Sequence, residues 1–377
     1  MNAVTRYYFD HNATTPVSPE VFQAMAPLMT TVFGNASSIH QFGQEARGEL
    51  DRARRSVSAM LGAKAEEIVF TGGGTEADNM AIFGADGHVV TTTVEHPAVL
   101  EAASHLSSAT FVPVDSRGIV DPRAVREAIR PDTKLISVMH VNNELGVIQP
   151  VREIAEIARK AGVLFHSDGV QAMGKIPVNV GDLGVDLYSI SAHKIYGPKG
   201  MGALYVRKGS VLRPLLYGGP HERKMRAGTE NVAGAVGFGR AAEWVVEESG
   251  PEAARQSILR DRLERGILAR VTGASVNGAG APRVGNTSNI RFDGIDSEPL
   301  LIALDLKGFA VSSGSACSSG ATEPSHVLAA IGLTREQARS SVRFSLGRSN
   351  TEEQIDALID AVAQVVTRLR KLAPAYV

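Results

Sequence analysis

The chain has 377 residues, 44% of them hydrophobic and 21% charged, so it can bury a core and is not a disordered polypeptide. Its 39 basic residues balance 40 acidic ones to a formal net charge of −1, which gives no electrostatic reason to expect nucleic acid or a membrane surface as a partner. A single cysteine excludes an internal disulfide framework and any cysteine-rich zinc or cluster site made by this chain alone, so no metal site is expected. At this length two domains, or one large α/β domain with an appendage, are allowed.

From the N-terminus, Met1–Tyr8 lacks the apolar stretch of a signal peptide, and no later run approaches the ~20 apolar residues of a membrane span. A soluble cytoplasmic enzyme is the expectation. Between about Glu67 and Val206, short β-rich runs alternate with helical stretches. Ile68–Phe70 precedes the Gly72–Gly74 turn and a helix from about Thr75. Val89–Val94 is followed by a helix opening at Pro97, a favoured first helical position. Leu135–Val141, Val163–Phe165 and Leu187–Ile190 continue the series, with Val151–Ala161 as an intervening helix. Such alternation predicts a mainly parallel sheet covered by helices. A long helical region over Val232–Arg270 leads into Thr287–Phe292, Ser297–Leu306, Ser341–Leu346 and Thr351–Leu372, which read as strand, helix, strand, helix. That predicts a smaller α+β domain beyond a boundary near residue 258.

In a parallel α/β sheet, ligands bind beyond the carboxyl ends of the strands. Four predicted strands run into chemically capable residues: Glu95-His96, Asn142-Asn143-Glu144, His166-Ser167-Asp168 and Ser191-Ala192-His193-Lys194. One such ending is an ordinary turn, whereas four aimed at one rim suggest a site. Gly72-Gly73-Gly74-Thr75 reads as a phosphate cradle at a helix N-terminus, or as a plain glycine turn with Thr75 as N-cap. It matches neither the P-loop nor the dinucleotide fingerprint. Lys194, at a strand end among small residues, could form a Schiff base. Cradle, lysine and the acidic Asp168 together suggest pyridoxal phosphate, which needs a lysine and a partner for its pyridinium nitrogen.

The lone cysteine lies in Ser312-Ser313-Gly314-Ser315-Ala316-Cys317-Ser318-Ser319-Gly320, a run of small residues without helical or strand periodicity. An inert structural thiol usually sits in an apolar core, so this setting fits a reactive cysteine or a leftover one in a linker.

Taken together, the segments Tyr8–Pro16, Gly74–Asn79, Glu95-His96, Val141–Gly146, His166–Gln171, Ser191–Lys194 and Ser313–Cys317 resemble the group I (NifS/IscS-like) cysteine desulfurases of the class V aminotransferase family. The likeness is collinear over nearly the whole chain. It implies a fold-type I pyridoxal phosphate enzyme. Residues 15–258 would form a large cofactor domain; residues 1–14 and 259–377 would form a small one carrying the cysteine loop at about 312–323. By the same resemblance, Lys194 would hold the cofactor covalently, and His96 would stack on its ring and carry protons. Asp168 would pair with the ring nitrogen and Gln171 with the ring hydroxyl. Gly74, Thr75, Ser191 and His193 would bind the phosphate, joined by Thr229 from a second subunit of a homodimer. Asn143 and Arg343 would bind the substrate carboxylate, and Cys317 would take the sulfur of L-cysteine as a persulfide. A sulfur acceptor such as an iron–sulfur scaffold protein is the implied partner. Two features depart from the family pattern. Pro220 stands where many relatives have a third glycine, and the short Ala373–Val377 ending differs from the tail with which housekeeping members dock a scaffold. A selenocysteine lyase, another fold-type I aminotransferase and a non-enzymatic scaffold are the competing readings.

Overall fold

The structure is a computed structural model that describes residues 5–314 and 324–372. Its strands in chain order are β1 (Tyr7–Tyr8), β2 (Ile68–Thr71), β3 (His88–Thr92), β4 (Ala109–Val112), β5 (Thr133–Ser137), β6 (Leu164–Asp168), β7 (Leu187–Ser191), β8 (Gly202–Val206), β9 (Ala274–Val276), β10 (Thr287–Phe292), β11 (Phe309–Ala310) and β12 (Ser341–Ser345). Seven of them form the central sheet in the order β2-β8-β7-β6-β5-β3-β4. Only β8 runs against its neighbours, so the carboxyl ends of β2, β3, β5, β6 and β7 share one rim.

Alternate residues of these strands feed two different cores, as the twofold period of a strand requires. Ile68, Phe70, Val90, Ile136, Phe165, Tyr188 and Ile190 pack under the helices Gln41–Leu61 and Val232–Arg270. Val69, Val89, Leu135, Leu187 and Leu204 pack on the other face, under Gly74–Gly84 and Pro97–Ser104. Both faces are covered, which is why the strands read as unbroken apolar runs.

A separate core gathers the antiparallel sheet β12-β10-β9, the helices Ser297–Leu306 and Glu352–Leu372, and Leu259, Leu263 and Ile267 of the long helix. The 39-residue helix Val232–Arg270 therefore runs from one core into the other. Phe9 belongs to this second core, because β1 pairs in parallel with β11 and the next residues bridge to β12.

Several predicted boundaries move. The strand expected to reach Val94 stops at Thr92, and the one expected to reach Val141 stops at Ser137, where chain crossing the rim turns to build the site. Conversely, β6 extends through Asp168, because Asp168 pairs with Ser189 on β7 and its carbonyl accepts from the His140 N–H. Thr75 does not cap the glycine-turn helix. Gly73 occupies that position, and no side chain bonds to the first amides.

Residues Glu222, Arg223 and Lys224 all take positive φ, a conformation disfavoured for side-chain-bearing residues. A buried ion pair holds them there. Arg54 donates to both carboxylate oxygens of Glu222 at 2.7 and 2.6 Å, and the Phe70 N–H donates to the same carboxylate at 3.0 Å. Truncating one member of such a pair leaves an uncompensated buried charge. Arg54→Ala should therefore cost about 3–5 kcal/mol in denaturant unfolding, with Arg54→Ala/Glu222→Ala less destabilised than the single variant. An Arg54→Ala protein as stable as the parent would show that the pair does not hold this segment.

Candidate active site

Of the polar residues that end the strands, Ser191 and His193 share one cavity with the glycine turn. A hollow of about 650 Å³ is lined by Gly72, Gly73, Gly74, Thr75, Ser191 and His193, together with Thr14 and Lys199. Among the described residues, the first amides of the helix Gly74–Gly84 have no side-chain cap, and the buried Ser191 hydroxyl has no hydrogen-bond partner. Unused N–H and O–H donors at a helix N-terminus suit an anion such as a phosphate. One carboxylate, Glu76, also lines the hollow, but it is occupied: Gly72 N–H donates to it at 2.8 Å and Arg226 at 2.8 and 3.2 Å. Burial and nearby Lys194 push His193 down to about 4, and its Nδ1 meets the Thr14 hydroxyl at 3.0 Å.

Next to the cradle lies Asp168, whose Oδ1 accepts from the Val170 N–H at 2.9 Å. Burial raises its carboxyl to about 6, against the lowering influence of Lys194. His166 sits two residues back on the same face of β6. Its ring nitrogens lie 2.8 Å from the Ser137 hydroxyl and 2.9 Å from that of Ser189, and Nε2 is 3.6 Å from the fully buried Asp78. Burial drives His166 down to about 3 and raises the Asp78 carboxyl. Burial thus disfavours the charged form of both His166 and Asp78 beneath Asp168.

His96 caps the helix Pro97–Ser104. Its Nδ1 accepts from the Ala98 N–H at 3.1 Å, so a neutral imidazole carries its proton on Nε2. Proton shuttling suggests a pKa near neutrality, but burial, with Lys194 and His326 nearby, pushes His96 down to about 4. The ring is thus a neutral donor here.

The Lys194 ammonium donates to the carbonyls of Asn12 and, at 2.8 Å, Ala13. Asn12 is a junction that the motif analysis passed over. Its amide N–H₂ donates to the Asn143 carbonyl at 3.1 Å and the Thr287 hydroxyl at 2.9 Å, and its backbone carbonyl also accepts from Gln171 at 2.9 Å. Arg343 on β12 is 2% exposed and donates to the Asn143 carbonyl at 3.0 Å, the Gly314 carbonyl at 3.2 Å and Asp10 at 2.7 Å. Among the described residues, its Nε and the Asn143 Oδ1 are buried with no hydrogen-bond partner. Both sides of the undescribed stretch are tied nearby, since Gly314 meets Arg343 and Ser325 donates to Glu144 at 2.6 Å. Cys317 itself lies outside the described residues. Thr229 is exposed and does not line the cavity.

An anion cradle, a lysine and a buried acid thus lie at the strand ends of the central sheet, and Arg343 on β12 is joined to Lys194 through Asn143 and Asn12. The class-V aminotransferase model matches residues 7–358, and the chain belongs to that family, in its NifS/IscS-like branch. A cysteine desulfurase IscS from Dictyoglomus turgidum is 47% identical over 97% of this chain and 96% of its own. A solved NifS-like protein superposes with a TM-score of 0.90 at 37% identity, covering 97% of this chain and all of the other. A structure described as SspA in complex with cysteine matches with a TM-score of 0.81 and 36% identity, over 91% of this chain and 99% of that one. The fold is fold-type I α/β, and the chain is a cysteine desulfurase of the pyridoxal phosphate-dependent class.

Proposed function

We propose that Lys194 holds pyridoxal phosphate in this cavity and that the sulfur of L-cysteine passes to Cys317. The net change is L-cysteine plus the Cys317 thiol giving L-alanine plus a Cys317 persulfide. The substrate's C–S bond breaks, an S–S bond forms, and no outside oxidant or reductant is needed. The observation that carries the reading is the orphaned Ser191 hydroxyl beside uncapped helix amides, a donor set that fits the cofactor's phosphate. When bound, the cofactor supplies an electron sink for the substrate's α-carbon.

The remaining roles fall to the chain itself. Gly74, Thr75, Ser191 and His193 bind the phosphate, Asp168 faces the ring nitrogen and Gln171 the ring hydroxyl. Lys194 moves a proton to and from the substrate's α-carbon, and neutral His96 donates from Nε2. Arg343 and Asn143 grip the substrate carboxylate, the unpartnered Arg343 Nε being the free donor. Arg343→Ala should raise the KM for cysteine roughly ten- to hundredfold, the worth of a buried charge-assisted bond of about 1.5–3 kcal/mol. An unchanged KM would place the carboxylate elsewhere.

We further infer a division into residues 15–258 and residues 1–14 with 259–377, a cytoplasmic setting, and transfer of the persulfide sulfur to an acceptor such as an iron–sulfur scaffold. The chain would act as a homodimer in which Thr229 reaches the partner's phosphate. Exposed Phe22, Phe33, Phe42 and Tyr217 are the apolar surface that supports it. A monomer in sedimentation would refute the shared site. Incubation with L-cysteine and a thiol reductant should yield alanine and sulfide in equal amounts without a keto acid. An aminotransferase would require the keto acid, and a scaffold would release neither product.

A further inference from the structure

Lys175 is a half-buried lysine that none of the roles above uses. It lies in the turn that follows β6, four residues after Gln171. Its ammonium group donates to the side-chain oxygen of Asn12 at 2.9 Å and to the side-chain oxygen of Gln171. Burial pushes its pKa down, and the charges of Lys194 and Arg343 act in the same direction. A lysine placed there is expensive, and the fold offers no carboxylate to offset it among the bonds it makes.

The chemistry of its two partners suggests what it does. A side-chain amide has one oxygen that only accepts and one nitrogen that only donates, and the two ends are nearly the same shape. Either Asn12 or Gln171 could therefore turn over without any steric penalty. As an ammonium, Lys175 can only donate, so in that form it draws both oxygens toward itself. The consequence for Gln171 is that its N–H₂ points away from Lys175. One of its hydrogens goes to the Asn12 carbonyl at 2.9 Å, and the second is left to donate. The consequence for Asn12 is that its N–H₂ faces Asn143 and Thr287, while its oxygen also takes a bond from Asn286 at 3.1 Å. The same Asn12 carries the carbonyl that receives Lys194.

Resting on the proposed cofactor site, we infer that Lys175 is a positioning residue that locks the amide of Gln171 with its N–H₂ toward the cofactor's ring hydroxyl, and that of Asn12 toward Asn143. Lys175 touches neither cofactor nor substrate. It acts by removing the alternative rotamer of Gln171, which faces the ring hydroxyl, and of Asn12, which braces Asn143.

The test measures binding of pyridoxal phosphate to the dialysed, cofactor-free full-length protein, by equilibrium dialysis and visible absorbance. Lys175→Met keeps the apolar stem and removes the donor. It should raise the dissociation constant about tenfold, the worth of one hydrogen bond. In a Gln171→Ala background the same substitution should add almost nothing, since there is no amide left to orient. Lys175→Gln restores a donor and should recover most of the affinity. Gln171→Glu keeps the acceptor that Lys175 bonds and removes the donor toward the cofactor, so it must weaken binding as Lys175→Met does. This variant carries the test should Lys175→Met fail to fold. Additive losses in the double variant, or Lys175→Met binding as tightly as a parent that colours normally, would overturn the inference. A parent protein that acquires no colour at all would overturn the cofactor reading, and the inference with it.

Discussion

Lys194→Ala should give a folded, colourless protein with no measurable alanine production from cysteine. The lysine has two jobs in the proposed reaction, and nothing nearby can take either of them over. Proton transfer by a positioned side chain is alone worth roughly 10²–10⁴-fold, and loss of covalent anchorage comes on top. Of the other amines nearby, Lys175 is committed to Asn12 and Gln171, and Lys199 lines the hollow with the glycine turn and His193. The phosphate cradle does not depend on Lys194, because its donors come from the helix Gly74–Gly84, Ser191 and His193. The variant should therefore still bind pyridoxal phosphate, but lose it on dialysis. Stable visible absorbance after dialysis, or alanine formation at even a tenth of the parent rate, would end the assignment.

Cys317→Ser should separate binding from sulfur removal. The serine variant keeps every described residue of the site, so it should hold the cofactor and show a spectral change on adding cysteine. Its alanine production should fall to near zero, because a serine hydroxyl is a far weaker nucleophile than a thiolate. In the parent, mass spectrometry after brief exposure to cysteine without reductant should show one added sulfur on the peptide that contains Cys317. The chain holds no second cysteine, so that sulfur cannot move to an internal disulfide and must leave to another protein or an external thiol. Full alanine production by the serine variant would remove the thiol from the mechanism and the proposed persulfide with it.

Much of the fold was legible because the sheet is buried on both faces. Runs such as Ile68–Phe70 and Leu187–Ile190 announce strands by composition alone, and Val151–Ala161, Val232–Arg270, Thr287–Phe292 and Ser297–Leu306 occur where patterning places them. Strand ends were less legible. Whether His166–Asp168 continues a strand depends on hydrogen bonds to β7 and to His140, which are remote in sequence. The edge strand Ala109–Val112 and the reversed β8 gave no distinctive signal either. The motif residues of the site carried their chemistry openly, since a lysine, an acid and glycines at strand ends have few alternative uses. Asn12, Lys175 and Asp78 did not. An asparagine or lysine looks like surface until its burial and partners are known, and each of these gains its meaning from segments over 60 residues away. The lowered pKa of His96 was hidden for the same reason, because desolvation is a property of the packed molecule.

The junction at Asn12 also bears on the order in which the molecule can be made. Its backbone N–H bonds the Ser345 hydroxyl, 333 residues further along, while its side chain reaches Asn143, Thr287 and Asn286. A ribosome therefore releases Asn12 long before Ser345. The central sheet, complete at Val206, can collapse on its own helices well before then, but the N-terminal segment must wait for β10 and β12 before it can dock. The carbonyls that receive Lys194 belong to that waiting segment. Recovery of the cofactor's colour during refolding should therefore lag behind recovery of secondary structure, with docking of the Asn12 segment on β10 and β12 as the last step.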